Sequence, residues 1–588
     1  MRNLVKKDRS RLTAAAMSRI PCDLAIENVR LVNVFTGEIY PAAVDILDGV
    51  VVRVRENGNA SALAAKETID GEGRYLVPGF IDTHLHVESS LMVPENFGKV
   101  VATWGTTTVV ADPHEIANVI GVKGVEYMLE SGKKSPIRLF QLAPSCVPSL
   151  PGMESSGAVF GAEEIGQLLD HENVPGIGEV MDYYGVADDD PRMHDIIAEG
   201  EKRGAFIQGH APTFTGDRLC AYLCGGPVSD HECVGPEELY AKRRMGMYID
   251  LRVHSRAEAK TLLHAVEPGI FKDTVSLCSD DVNAYRLQRL GSLSRAVADL
   301  ILEGLDPMLA IRFATLNAAR EYGFADVGAV APGYSADLQL VNDLSFEKHP
   351  HMVFMQGKLI ARDGEFLGEP ARKAECDLGN TIHYVGITGG DDFRIPAEGK
   401  ESRRVMVVNE GYQENSPVFK ELACMGGFAV LPENEKGALN YIGVLNRYGK
   451  AAKTIALYSH FGLKHGAIAS SIGHDCHNIC IIYADPDDAF AAVEALKKCG
   501  GGVCYVCDGE VRALLELPVG GLMSDLPLAE TAAQCASVEK EIAKQCGFEE
   551  FSISQKMIFC TLPVFERYTP TDLGVVDGPR KKFVKYLD

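Results

Sequence analysis

The sequence predicts an α/β protein: a (β/α)8 TIM-like barrel with a small composite β-sandwich domain and a separate C-terminal α/β domain. Three observations predict this. Strand-length apolar runs recur eight times between residues 76 and 326, each with polar or ionisable residues at or near its end. The spacers between them are mostly long enough for a helix, as in GAEEIGQLLDHE and DIIAEGEKR. Both flanks of that region carry the alternating apolar and polar positions of short antiparallel strands.

Taken in order, residues 1–21 form an N-terminal extension. MRNLVKKDRSRLTAAAMSRI is basic but has no apolar h-region, so it is not a secretory signal. It reads as a short surface helix, with a transit peptide as the alternative. LAIENVRLVNV and AAVDILDGVVVRV, with a turn at Thr36-Gly37, read as strands. VGAVAPGYSADLQLVND (327–343) and HMVFMQGKLIARDG (351–364) return to that pattern, so residues 22–75 and 327–370 are expected to pair as one small β-domain. The barrel spans 76–326 and opens with PGFIDTHLH. Its later runs are TTTVVADPHE (106–115), IRLFQLAPS (137–145), VPGIGEVMD (174–182), AFIQGHAP (205–212), PVSDHEC (227–233), MYIDLRV (247–253) and TVSLCSDD (274–281). From 371 to 588, strands such as RRVMVVN mix with helices such as PDDAFAAVEALKKC, which marks the C-terminal domain.

Composition narrows the function classes. A net charge of −23 on 588 residues repels a nucleic-acid backbone, so a small neutral substrate or a cation suits the chain better. No run reaches the ~18 apolar residues of a membrane span. The 16 cysteines are scattered through a long chain, which points to reduced thiols and a cytoplasmic protein rather than a disulfide scaffold.

The chemistry begins at His84 and His86. Residues i and i+2 of a strand share a face, so two imidazoles at a strand end can grip one divalent ion. Further ligand types stand at later strand ends: Glu179, His210, His231, Asp280 and Asp281. Each has a structural alternative: Glu179 as a rim salt bridge, His210 as a core histidine, Asp280 as a helix cap. Their recurrence in strand order is what points to one site, because a barrel gathers its strand ends. Such a set can hold two metals, with Glu179 bridging, and two metals lower the pKa of a shared water to give a hydroxide near neutral pH. Asp280 can take and pass on the proton.

The segments VPGFIDTHLHVESSLMVPENF, GTTTVVADPHEIANVIG, PSCVPSLPGME, GEVMDYYGV, GHAP, SDHEC, LCSDD, TLNAAREYG, APGYSADLQLV, GAIASSIGHDCHNI and GLMSD resemble the adenine deaminases of the amidohydrolase superfamily. The resemblance runs from about residue 22 to beyond 525. It implies hydrolysis of adenine to hypoxanthine and ammonia by a metal-bridged hydroxide. It also implies two divalent ions, manganese or iron by preference, although the ligand types suit zinc as well. Carried onto this chain, the ligands are His84, His86, Glu179, His210, His231 and Asp280. Many relatives in the superfamily bridge their metals with a carboxylated lysine, and Glu179 stands in that place here. Glu88 is the candidate proton donor to the purine ring, its alternative being to orient His86. Asp281, His114 and Ser89 are candidates for substrate contact. His474, Asp475 and His477 could close the active site, hold an extra metal or form a buried polar network. Tyr448 and Cys476 stand where the family more often has histidine and serine. A homo-oligomer, a dimer, is the family expectation. Two other readings stay open: a deaminase or cyclic amidase acting on another nitrogen heterocycle, and a barrel relative that has lost catalysis.

Overall fold

A computed structural model describes residues 2–56, 63–267, 269–408, 417–547, 553–564 and 567–588. Eight short strands carry the middle of the chain: Phe80–Leu85, Thr106–Ala111, Arg138–Gln141, Gly176–Val180, Phe206–Gly209, Ser229–Asp230, Tyr248–Arg252 and Val275–Cys278. They pair in parallel and in chain order. An Ala143–Ile177 bridge joins the third to the fourth, and the Val228 amide donates to the Ile207 carbonyl to join the fifth to the sixth. A parallel bridge between Leu85 and Asp280 returns the last strand to the first. Every strand is followed by a helix. Pro191–Arg203 shows why such segments are helical: the Asp190 side chain accepts from the Arg192 and Met193 amides, proline occupies the first turn, and Gly204 ends the helix at φ 61°.

The two flanks meet in one hydrogen-bonded sheet with a shared buried core. Tyr75–Pro78 lies hydrogen-bonded between Leu24–Asn33 and Leu338–Val341, so the two halves join edge to edge into nine strands. That strand also carries the sheet through Pro78, past the expected boundary at residue 75. The N-terminal extension holds the short helix Arg9–Ala16. Among the described residues no helix is long and apolar enough to cross a membrane.

Residues 395–516 build a ten-stranded sheet, with Pro486–Cys499 and Leu528–Cys546 packed on it. One face of this sheet packs with Pro486–Cys499 into a core of its own, with Val407, Leu457, Ile481, Val493 and Leu496, and the other shares a core with the strand ends. Leu85, Val87, Met92 and Phe97 share one buried apolar cluster with Ile442, Ile468, Leu515 and Leu522. The Ser524 amide donates to the Leu91 carbonyl at 2.8 Å, so backbone as well as side chains ties this layer to the C-terminal end of the first strand.

Buried charge fixes two other strand ends. Lys242 is fully buried and donates to the Ala211 carbonyl (2.6 Å) and to Asp230 (2.9 Å). Asp230 in turn accepts from the Ala211 amide at 2.7 Å. The residues preceding Ala211 and following Asp230 are His210 and His231, so this network sets the spacing of both imidazoles. Lys242→Met leaves Asp230 charged and uncompensated, and should cost about 3–5 kcal/mol, read from urea unfolding. A loss below about 1 kcal/mol, the worth of an exposed pair, would show that the network does not hold the strand ends.

Candidate metal centre

All six expected ligands come together, and all are buried. Glu179 lies at the centre. Its Oε1 is 3.3 Å from His86 Nε2, and its Oε2 contacts His210 Nδ1 and lies 3.3 Å from His231 Nε2. Asp280 faces the first pair: its Oδ1 is 3.5 Å from His84 Nε2 and 3.3 Å from His86 Nε2. The His84 and His231 rings stack at 4.0 Å. Three overlapping groups keep their ligand atoms within 4.8 Å of one another: His84, His86 and Glu179; His84, His231 and Asp280; Glu179, His210 and His231.

The imidazoles are aimed from behind. Gln208 donates to the Thr83 carbonyl and the Tyr322 hydroxyl, which leaves its Oε1 to accept from His84 Nδ1 at 2.8 Å. His86 Nδ1 donates to the Asp112 carbonyl at 2.9 Å. Each bond fixes the tautomer that leaves Nε2 unprotonated toward the centre. The Asp112 carboxylate also accepts from the Glu179 amide at 2.8 Å, and Gly178 makes room for it: a Cβ there would lie 2.1 Å from Asp112 Oδ2.

The donor set fits a divalent cation. His84 Nε2 is buried without a hydrogen-bond partner, an orphaned atom that an ion would satisfy. Burial, with the neighbouring His231, pushes His84 toward its neutral, ligating form. Burial raises the Glu179 and Asp280 carboxyls, but the facing histidines more than offset it and hold both well below the usual carboxylate range. Arg252, 2.7 Å from Asp280 Oδ2, adds to this.

Above the ligands a largely apolar pocket opens between the strand ends and the C-terminal sheet. Glu88, Ser89, Asp281 and Asn283 line one side, and Ile472, Val503, Leu515 and Phe559 the other. Ser89 donates to Asp281, so these two form a unit. Glu88 does not orient His86; Asp112 does. Glu88 Oε1 accepts from the Ile116 amide at 3.2 Å, and its Oε2 has no hydrogen-bond partner. Burial and the charge of Glu115 push its carboxyl up to about 7. His114 lies beside the ligands, with Nδ1 3.5 Å from Glu179 Oε1. The residues at 448 and 476 touch: the Tyr448 hydroxyl donates to the Cys476 carbonyl.

Sequence reasoning missed Asp112, Glu115, Gln208, Gly178 and Arg252. Asp112 and Glu115 flank His114 in ADPHE, a segment whose signal was visible. Gln208 and Arg252 act across strands, so nothing in their own neighbourhoods marks them.

Residues 75–360 match the model of the amidohydrolase family, and 417–582 that of the adenine deaminase C-terminal domain. The chain is 37% identical to adenine deaminase 2 of Rhizobium meliloti (strain 1021) over 98% of its own length and 96% of the relative's. It is 36% identical to adenine deaminase 2 of Carboxydothermus hydrogenoformans, over 96% of this chain and 97% of that one. The adenine deaminase of Geobacillus kaustophilus is also 36% identical, over 97% and 98%. With both regions matched and the likeness running almost end to end, the chain belongs to the adenine deaminase family of amidohydrolases.

Proposed function

We propose that this chain hydrolyses adenine to hypoxanthine and ammonia, with two divalent ions held by His84, His86, Glu179, His210, His231 and Asp280. The observation that carries the reading is Glu179, whose two oxygens face different histidines as a shared carboxylate would. Adenine itself rests on the named relatives. Parallel pairing in chain order, with a return bridge, supports a closed (β/α)8 barrel at 76–326. The nine-stranded sheet supports a composite β-domain at 22–75 and 327–370, and the ten-stranded sheet a C-terminal domain at 371–588 over the barrel mouth. The sixteen cysteines stand as free thiols, which supports a reducing, cytoplasmic setting.

When bound, the ions supply the Lewis acidity that makes water a nucleophile near neutral pH; we assign manganese or iron, and the same ligands accept zinc. The chain's own residues manage position and protons. Asp280, kept ionised by the histidines and Arg252, takes the proton that water gives up and delivers it to the departing amine. Glu88 lines the pocket and holds a proton on its carboxyl for the ring nitrogen. Ser89 and Asp281, joined by their hydrogen bond, contact the purine edge, and the apolar wall of the C-terminal sheet excludes water from its faces. His114 steadies Glu179 from the side.

Ammonia release from adenine, compared with adenosine, cytosine, guanine and hydantoins, tests the substrate: another heterocycle reacting while adenine does not would sink this reading. Glu179→Gln should retain at most one ion of the centre and lose at least ~10²-fold in kcat/KM, measured with defined metal. Unchanged occupancy would remove the bridging role. Glu88→Gln should lower kcat by about 10²–10⁴-fold, the worth of a positioned acid–base group, with metal content unchanged. A fall of less than twofold would refute Glu88 as the donor.

A further inference from the structure

A second group of metal-ligating side chains lies outside the six-ligand centre, across the seam between the strand ends and the C-terminal sheet. His114 and Glu115 open the helix His114–Ile120, while His474 and Asp475 follow the strand Ala467–Ser470. His474 Nδ1 is 2.8 Å from Glu115 Oε1 and 3.4 Å from Asp475 Oδ1. His114 Nε2 is 3.4 Å from the same Glu115 oxygen and 3.8 Å from the same Asp475 oxygen. Ligand atoms of His114, His474 and Asp475 all lie within 4.8 Å of one another. Asp475 is fully buried, and His114, Glu115 and His474 are 1%, 2% and 6% exposed. Neither oxygen of Asp475 has a hydrogen-bond partner, whereas Glu115 pairs with His474 through Oε1 and with His477 Nε2 through Oε2. A fully buried carboxylate such as Asp475, with neither oxygen hydrogen-bonded, is costly unless a cation lies beside it.

We propose that His114, Glu115, His474 and Asp475 form a further divalent-cation site, distinct from the six-ligand centre. Two imidazoles and two carboxylates make a neutral complex with a divalent ion, and this N2O2 set suits zinc, manganese or iron. Each side of the seam supplies one imidazole and one carboxylate. The ion therefore acts as a clasp that holds the C-terminal sheet over the pocket, and the loop that carries His474 reaches the pocket wall. His114 belongs to both sites, with Nδ1 toward Glu179 and Nε2 toward the clasp.

Metal content of the full chain, loaded with manganese and desalted, tests this independently of the substrate assignment. Elemental analysis should find three ions per chain in the wild type and two in Asp475→Asn and in His474→Ala. Two ions in the wild type, or a third that survives both substitutions, overturns the proposal; the cluster is then an ion-pair network of protonated His474 with Glu115. Manganese anomalous scattering from wild-type crystals decides the matter if the variants fail to fold. A peak within ligand distance of His474 and Asp475 supports the clasp and its absence refutes it. Peaks at Glu179 are counted separately, so failure of the six-ligand centre is distinguishable.

Discussion

A carboxylate as deeply buried as Glu179, 3% exposed, cannot keep its charge unless the protein surrounds it with donors or cations. Here five imidazoles from four separate segments face it: His84, His86, His114, His210 and His231. Each imidazole must also be held, and the holders form the next layer outward. Gln208 and the Asp112 carbonyl fix the tautomers of His84 and His86, and Lys242 with Asp230 fixes the strand ends beside His210 and His231. The demand for one compensated charge thus propagates through the whole set of strand ends.

The C-terminal sheet answers a different constraint. The strand ends present apolar as well as ionisable side chains, and that apolar surface is covered by Ile468, Leu515 and Leu522. Covering it encloses a largely apolar pocket edged by a few polar groups, the kind of lining that suits a flat heterocycle. The cover also brings His474 and Asp475 against Glu115, so the seam is polar where it borders the ligands and apolar elsewhere.

Legibility from sequence followed the range of the physics. The eight strands and the metal-ligating residue types at five of their ends were readable, because strand period and abrupt apolar-to-polar boundaries are local signals. The strand order was not readable, because alternation reveals which face of a strand is buried but not which strand is its neighbour; the pairing of Tyr75–Pro78 with Leu338–Val341 joins residues about 260 apart. Glu88 was assigned a role without its partner, since the Ile116 amide it meets comes from the next strand–helix junction.

By itself the sequence determined the residue types and their order at the strand ends, including a glutamate at 179. Only the tertiary structure decided which oxygen of Glu179 meets which histidine, that Arg252 stands against Asp280, and that His474 and Asp475 reach Glu115. The reason is physical. A ligand's identity is a property of one residue, whereas the cost of burying its charge is set by neighbours that the chain brings close only when the strand ends converge and the C-terminal sheet covers them.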